Sequence, residues 1–321
     1  MNRPGTGERN EASADSALPW EGLIHLAFVY LIWGSTFLAI RLAVMPGAGF
    51  PPFILGATRL LTAGGLTLGV AALRRRRLLP SRRDLLILAL SGVLLWGIGN
   101  GAVNWAEQRA DSGLAALVIG SAPVWTAAME AMLDRRSPSW RLVAALFTAF
   151  AGVGLLVAPV FASGLQADVL SVAALLLGAV AWAAGTVLQR RRPVAVGTIA
   201  SSAYQQLAGG LWLALLAFTI GEPAPQPTGA AWAAWLYLVL IGGLAFTSFV
   251  RALELLPVPL VLTHAYVNPV IAVFLGWLVL GEQVTVWTIG GAALVVLGVA
   301  GVFRERRRAG PAQVAPEKAP A

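Results

Sequence analysis

The sequence predicts an all-α membrane protein of ten transmembrane helices, arranged as two five-helix repeats that lie in opposite orientations. Three observations support this prediction: ten apolar stretches fill the chain, the last five echo the first five, and basic residues cluster in alternate loops. Apolar residues make up 58% of the 321 residues and charged residues only 12%, against roughly 25% in soluble domains. Because a soluble fold of this size could not bury so much apolar surface, we expect lipid to surround most of the chain.

Each apolar stretch is long enough to cross a bilayer, since a helix rises 1.5 Å per residue and the hydrocarbon core is about 30 Å thick. In chain order the predicted spans are 22–42, 51–73, 85–106, 112–133, 140–158, 169–188, 197–219, 232–253, 258–280 and 285–303. The polar segment 1–20 is predicted to be a disordered cytoplasmic tail, and the segment 304–321 a basic, disordered cytoplasmic tail.

From Pro123 and Pro269 onward the two halves of the chain match without a gap, and Gly152 then meets Gly298. Earlier in each half, Trp33 and Arg41 are spaced like Trp182 and Arg190. We therefore expect one repeat at 21–158 and a second at 168–303. Because five is odd, two copies of a five-helix unit have opposite orientations, as in transporters that handle substrate between inverted repeats.

Basic residues are distributed unevenly between the two sides of the predicted bundle. All of the 23 Lys and Arg residues except Arg41, Arg59 and Arg109 lie in the tails or in alternate loops and their flanks. The positive-inside rule places this basic side in the cytoplasm, so both termini are predicted to be cytoplasmic. The net charge of +8 is then a topology signal, and we predict no nucleic-acid partner.

No constellation of residues typical of an enzyme occurs in the sequence. The chain has no Cys, which excludes disulfides and Cys-ligated metal sites. Neither His lies in an HExxH motif, and no Walker motif is present. The sequence therefore predicts neither catalysis nor a bound metal or cofactor.

Arg59 is the strongest candidate for a residue on a transport path. It lies about eight residues into the second span, hence ~12 Å from the span's outer end. A guanidinium at that depth costs at least about 2.5 kcal/mol, so it should face a wet cavity or an acidic residue. A purely structural role, capping carbonyl groups or pairing with a neighbour, is the alternative. Gln205 and Gln206 stand at the equivalent place in the second half.

The third span ends in polar residues at helical spacing. Asn100, Asn104 and Glu107 place amide and carboxylate groups on one face of this helix, which suggests a water-filled vestibule. Glu107 is the nearest candidate counter-charge for Arg59, although it could equally be solvated beside Arg109 at the membrane surface. The glycines here fit close helix contact better than phosphate binding, because their spacing matches no nucleotide motif.

Polar residues at membrane depth also occur in the first, fourth and ninth spans. The further candidates for the substrate path are Trp33, Ser35, His264, Tyr266 and Asn268, with Pro123 and Pro269 as predicted helix breaks. Broken helices commonly line transporter cavities. His264 could carry a coupled proton near neutral pH, or act as a neutral hydrogen-bonding residue. Packing alone is the alternative for Trp33 and Ser35.

Several of these segments resemble the EamA family of the drug/metabolite transporter superfamily, in its YedA-like branch of inner-membrane exporters. The resemblance rests on Trp33 to Phe37 with Arg41, Pro52 with Arg59, Gly99 to Gln108, Ser112 to Ala116 with Pro123, and Asn268-Pro269 with Gly281-Glu282. It covers about residues 23–303. The first half departs from the family pattern, because Leu133 to Arg136 stands where a Gly-Glu pair is usual.

The resemblance implies a ten-helix fold of two EamA repeats in the inner (plasma) membrane. It also implies export of metabolites, amino acids or drugs. Together with the repeat, it predicts a secondary transporter that moves a small-molecule substrate by alternating access. An uptake permease of the same fold, or a non-transporting sensor or assembly protein, are the alternatives. The oligomeric state is not predicted.

Overall fold

The computed structural model describes residues 19–74, 78–135, 139–163, 166–256, 258–261 and 263–308. Within these ranges every regular element is helical. The α-helices are α1 (Trp20–Val44), α2 (Pro52–Leu73), α3 (Arg82–Gly92), α4 (Gly101–Ala106), α5 (Ser112–Ile119), α6 (Ala122–Leu133), α7 (Trp140–Ser163), α8 (Gln166–Arg191), α9 (Thr198–Ile220), α10 (Gly229–Leu255), α11 (Val258–Val261), α12 (His264–Leu275) and α13 (Val286–Arg308). Two π-helical segments, π1 (Val93–Asn100) and π2 (Gly276–Leu280), continue α3 and α12.

Six helical segments are long and apolar enough to cross a membrane. They are Trp20–Val44, Pro52–Leu73, Arg82–Ala106, Ser112–Leu133, Val169–Arg191 and Thr198–Ile220. Shorter apolar helices occupy Trp140–Leu156, Gly229–Ile241, Val267–Leu280 and Val286–Val302. Large apolar side chains such as Leu31, Phe147 and Phe218 are exposed on the outside of the bundle, as expected where lipid is the solvent. The chain is therefore a multi-pass, all-helical membrane protein.

The predicted ends of two segments need correction. Helix α13 continues to Arg308, so the predicted tail at 304–321 starts too early, and 309–321 lie outside the described residues. Basic side chains in a last helical turn are favourable, because the helix dipole is negative there. Helices α7 and α8 likewise extend into the linker expected between the repeats. Of the predicted N-terminal tail, residues 1–18 lie outside the described part of the chain.

Two of the predicted spans are interrupted, the fourth near its middle and the ninth near its start. The fourth span divides into α5 and α6 at Gly120-Ser121, and Pro123 lies in the first turn of α6, where a missing N–H is tolerated. The predicted helix break at Pro269 is displaced, because Pro269 lies inside α12. The interruption comes before it, between α11 and α12 at Thr263. A single missing backbone hydrogen bond at Pro269 therefore does not end this helix.

The helices pack mainly in antiparallel pairs drawn from opposite halves of the chain. The most extensive pairs are α7 with α13, α2 with α9, and α1 with α10. In the α2–α9 pair, Gly64 meets Ala203 while Gly56 meets Leu213. The two helices therefore run in opposite directions. Helix α8 packs against the third span, and α12 packs against α1 and α5.

Acidic side chains connect helix ends across the two halves. The Glu222 carboxylate, after α9, accepts hydrogen bonds from the backbone N–H groups of Phe53 (3.0 Å) and Ile54 (2.8 Å) at the start of α2. The Glu282 carboxylate accepts bonds from the Ser112 N–H and hydroxyl and from the Gly113 N–H at the start of α5. Both carboxylates satisfy the free N–H groups of a helix N-terminus and complement its dipole.

Candidate functional site

A buried cluster of charged and amide side chains lies where α2, π1 and α4 meet. The Arg59 side chain extends from α2, seven residues after Pro52, and the residue is only 6% exposed. Its guanidinium donates a hydrogen bond of 2.5 Å to Oδ1 of Asn100 at the end of π1. A predicted site residue of the second span thus bonds directly to a predicted site residue of the third.

Asn104 and Glu107 complete this cluster, and both are fully buried. The Asn104 amide donates to the carbonyl oxygen of Pro52 at 3.2 Å. Gly56 on α2 leaves room for this amide, because a Cβ atom there would lie 2.6 Å from Nδ2 of Asn104. The Asn104 Oδ1 atom and both Glu107 carboxylate oxygens have no hydrogen-bond partner within the described part of the chain. The face expected to line a water-filled vestibule is therefore enclosed.

Arg41 also belongs to the cluster, although its spacing in the sequence indicates only the alignment of the repeats. Its guanidinium, three residues before the end of α1, donates to the backbone carbonyl of Glu107. The charges of Arg41 and Arg59 both act on the Glu107 carboxylate. The expected ion pair between Arg59 and Glu107 is not formed, since the carboxylate oxygens are unbonded. We name Arg41, Arg59, Asn100, Asn104 and Glu107 the polar cluster.

A second group of predicted residues meets where α1, α10 and α12 approach one another. The Trp33 ring lies 4.9 Å from the His264 ring and 5.1 Å from the Phe249 ring, between centroids. Nearby, the hydroxyls of Tyr30 and Thr263 are 2.5 Å apart. These three rings are in mutual contact between the three helices. We name Trp33, Phe249 and His264 the aromatic cluster.

The polar contacts of the predicted residues at the aromatic cluster join neighbouring helices or stay within one turn. Nδ1 of His264 lies 3.0 Å from the backbone carbonyl oxygen of Val261. Ser35, two residues after Trp33 on α1, lies 2.6 Å from the hydroxyl of Tyr237 on α10. Asn268 has a buried Oδ1 atom with no partner in the described structure. The side chain of Tyr266 lies outside those that the structure describes.

The two glutamines of the second half do not join the polar cluster. Gln205 is buried and bonds to the Ser91 hydroxyl on α3 at 3.3 Å, nine residues before Asn100. Gln206 bonds to Ser202 on its own helix. Gln205 instead lines a cavity of about 230 Å³ that also includes Gln189, Arg192, Thr198 and Ser201. The matching positions of the two halves thus have different surroundings.

The two predicted break prolines lie at one contact between the halves. A Cβ atom on Gly120, at the α5–α6 interruption, would lie 3.0 Å from Cγ of Pro269. The interruption that precedes Pro123 therefore packs directly against Pro269. This close approach explains the glycine at position 120, where any side chain would have to displace the proline ring.

Comparison with known proteins gives consistent results along the whole helical region. A model of the EamA-like transporter family matches residues 20–158 and again residues 169–304. The uncharacterized inner membrane transporter YedA of Escherichia coli (strain K12) is 33% identical over 262 residues, covering 80% of this chain and 82% of that protein.

Two further similarities extend over most of the chain. A probable terminal-alkyne amino-acid exporter of Streptantibioticus cattleyicolor is 29% identical over 292 residues, covering 88% of this chain and 92% of that protein. A solved crystal structure, 23% identical, matches with a TM-score of 0.61 over 91% of this chain and 100% of its own. At that identity, the structural match indicates a shared fold.

Proposed function

The chain belongs to the EamA-like transporter family, and we propose that it is a secondary transporter that exports small amphipathic solutes by alternating access. Its relatives and its membrane-spanning helices support a multi-pass inner-membrane transporter. The direction and solute class are proposals. They are supported by the relative that is named as an exporter of an amino acid.

We propose ten spans in two inverted repeats, and the helix packing supports this arrangement. Exchanging each helix for its counterpart five spans away turns the α1–α10 pair into the pair formed by the third span and α8. The same exchange leaves the α2–α9 and α7–α13 pairs unchanged. The counterparts α2 and α9 run antiparallel, as two copies in opposite orientations require.

The proposed orientation places both termini in the cytoplasm, and cysteine labelling of this naturally Cys-free chain tests it. We expect a membrane-impermeant thiol reagent, added outside cells, to label Gln226→Cys and to miss Leu79→Cys. Both positions are exposed, and position 79 is preferable to Ser81, whose hydroxyl caps α3. Labelling of Leu79→Cys in intact cells, with Gln226→Cys reached only after lysis, would reverse the assignment.

The observation that carries the proposed transport role is the near-complete burial of Arg59 within a membrane-spanning helix. Among the described residues one amide oxygen accepts from the Arg59 guanidinium, so further N–H groups can bind a solute. A purely structural bundle gains little from such a group, because its desolvation is costly. We propose that Arg59 receives the anionic part of the solute, with Asn100 and Asn104 beside it, when the two halves separate. The aromatic cluster then closes the path between α1, α10 and α12.

Counterflow into proteoliposomes tests this function even though the solute is unidentified. Purified protein is reconstituted, loaded with a pool of amino acids and metabolites, and offered the same pool with isotopic labels. We expect protein-dependent uptake of at least one labelled solute, and none in liposomes without protein. Correctly folded protein that exchanges no solute would favour a sensor or assembly role. Solute transport that requires an inwardly directed ion gradient would favour an uptake permease.

A further inference from the structure

Glu107 differs from every other acidic residue that the structure describes at the helix ends, because it is fully buried and accepts no hydrogen bond. We propose that Glu107 is a proton-binding site that holds a proton in the enclosed state, and that loss of this proton draws Arg59 from Asn100 to the Glu107 carboxylate. The use of this proton in transport rests on the proposed function, whereas the protonation itself does not.

The contrast with the nearby Glu282 carboxyl group shows which hydrogen bonds Glu107 lacks. Glu282 accepts three hydrogen bonds, two from backbone N–H groups and one from the Ser112 hydroxyl, which stabilise a carboxylate. Glu107 has no such donors among the described residues, and the negative charge of Glu282 acts against its ionisation. Burial of an ion without hydrogen bonds is strongly unfavourable, so the proton resides on Glu107.

The two guanidinium groups near Glu107 are bonded to neutral oxygens. Arg41 from α1 donates to the backbone carbonyl of Glu107, and Arg59 from α2 donates to Asn100. An ionised carboxylate is a far better acceptor for a guanidinium than an amide oxygen. Both positive charges favour ionisation of the Glu107 side chain, yet neither guanidinium bonds to its carboxyl oxygens. This bonding pattern is the one expected when that side chain is neutral.

The remaining surroundings of Glu107 offer no other charge in the part of the chain that the structure describes. The elements packed against α4 are α1, α2, π1 and α8. From α8, Gly178 lies against Ala102, and the described residues of this helix bring no titratable side chain to that contact. Arg109 lies over the Trp105 ring, 5.9 Å from its centroid, at the exposed surface. The charged groups that face Glu107 are thus Arg41, Arg59 and Glu282.

A proton on Glu107 also gives this carboxyl group an O–H donor of its own. The Oδ1 atom of Asn104 is buried without a partner in the described structure, and it lies one helical turn before Glu107, on the same face. A carboxylate accepts hydrogen bonds only, whereas a carboxylic acid has one O–H group to donate. Protonation therefore gives the Glu107 side chain an O–H group to donate, one helical turn from the Asn104 oxygen that has no partner among the described residues.

The proton decides which partner Arg59 has. While Glu107 is neutral, Arg59 holds only an amide oxygen and can exchange it for an anionic solute. Once Glu107 is ionised, its carboxylate competes with the solute for the same guanidinium. By linkage, proton binding at Glu107 and anion binding at Arg59 favour each other. The apparent affinity for an anionic solute should therefore fall as the pH rises, in the native protein but not in Glu107→Gln.

Infrared difference spectroscopy tests the proton directly and requires no solute. We expect purified native protein at neutral pH to show the C=O stretching band of a protonated carboxyl group, which disappears at alkaline pH. Glu107→Gln should lack this band, Glu107→Asp should keep it at a shifted position, and the matched control Glu282→Gln should retain it. Absence of the band in the native protein, or its persistence in Glu107→Gln, would overturn the proposal.

Stability against pH provides a second measurement that does not depend on transport. The folded protein with Glu107 protonated holds one proton more than the unfolded chain, whose glutamates ionise above about pH 4.3. The proton on Glu107 should therefore increase the unfolding equilibrium constant about tenfold per pH unit. This contribution ends at the pH at which Glu107 ionises in the folded protein. Glu107→Gln should remove this slope and Glu282→Gln should not. An equal slope in native protein and Glu107→Gln would contradict the assignment, whatever the counterflow assay shows.

Discussion

Arg59→Gln is expected to fold and insert normally yet lose tenfold to hundredfold in transport. The expected loss follows from one charge-assisted hydrogen bond to the solute, worth about 1.5–3 kcal/mol. Glutamine keeps an N–H donor at this buried position, although its side chain is shorter than the arginine that bonds to Asn100. Arg59→Lys should be partly active, because it keeps the charge and loses the planar fork that fits a carboxylate. The measurement is counterflow of a solute identified in proteoliposomes.

A matched control distinguishes loss of the buried Arg59 charge from loss of a positive charge at the surface. Arg109 is exposed and stacks on Trp105, so Arg109→Gln should leave transport unchanged. If Arg59 were only a structural partner of Glu107, Arg59→Gln would lower stability and Glu107→Gln would partly restore it. Full transport by Arg59→Gln would remove this residue from the solute site and direct attention to Trp33, Asn100 and Asn268.

Gly152→Ala should destabilise the bundle strongly for the addition of a single methyl group. A Cβ atom at this position would lie 2.6 Å from the backbone nitrogen of Val295 and 2.8 Å from the carbonyl oxygen of Gly291. Backbone atoms cannot rotate away as a side chain can, so α7 and α13 must separate along their whole contact. We expect a loss of about 3 kcal/mol, at the upper end for overpacked cores, read as a lower melting temperature in detergent.

Gly154→Ala is the control for this prediction, because it lies on the same helix and no described atom comes within 4 Å of its added Cβ. It should be neutral or slightly stabilising, since alanine favours helices by up to about 1 kcal/mol over glycine. Equal melting temperatures for the two variants would show that α7 and α13 are not in the described contact. The aligned position Gly298 has the same relation to α7, with Ala149 2.5 Å from its added Cβ.

The repeat can be predicted from sequence because closely packed helices need small residues at their contact, and these residues recur at the same positions in both halves. Gly152 and Gly298 fall in register when Pro123 is aligned with Pro269, and both occupy the α7–α13 contact. The depth of Arg59 can be predicted in the same way, since the period and rise of a helix fix where a residue lies along it. Its bond to Asn100 is consistent with the same argument applied to the third span.

The enclosure of the polar cluster could not be predicted, because it depends on how α2 sits against the third span. Hydropathy shows that Asn104 is polar, but not that Pro52 and Gly56 pack against its amide. Arg41 was missed as a site residue because its spacing matches the repeat. Its position within an apolar span, three residues from the end of α1, is the signal that could have identified it. The break predicted at Pro269 was wrong since one lost hydrogen bond is cheaper than ending a packed helix.

The π1 segment gives the third span a property that an uninterrupted α-helix does not have. Eight residues, Val93–Asn100, are wound more loosely than α-helical residues, so the segment holds surplus chain in the middle of the span. Rewinding one residue of it would turn everything beyond Asn100 by about 100° while α3 stayed in place. Asn104 would then leave the carbonyl oxygen of Pro52 on α2, and Glu107 would turn with it. The third span can thus redirect its polar face by local winding alone, with no helix breaking and no loop opening.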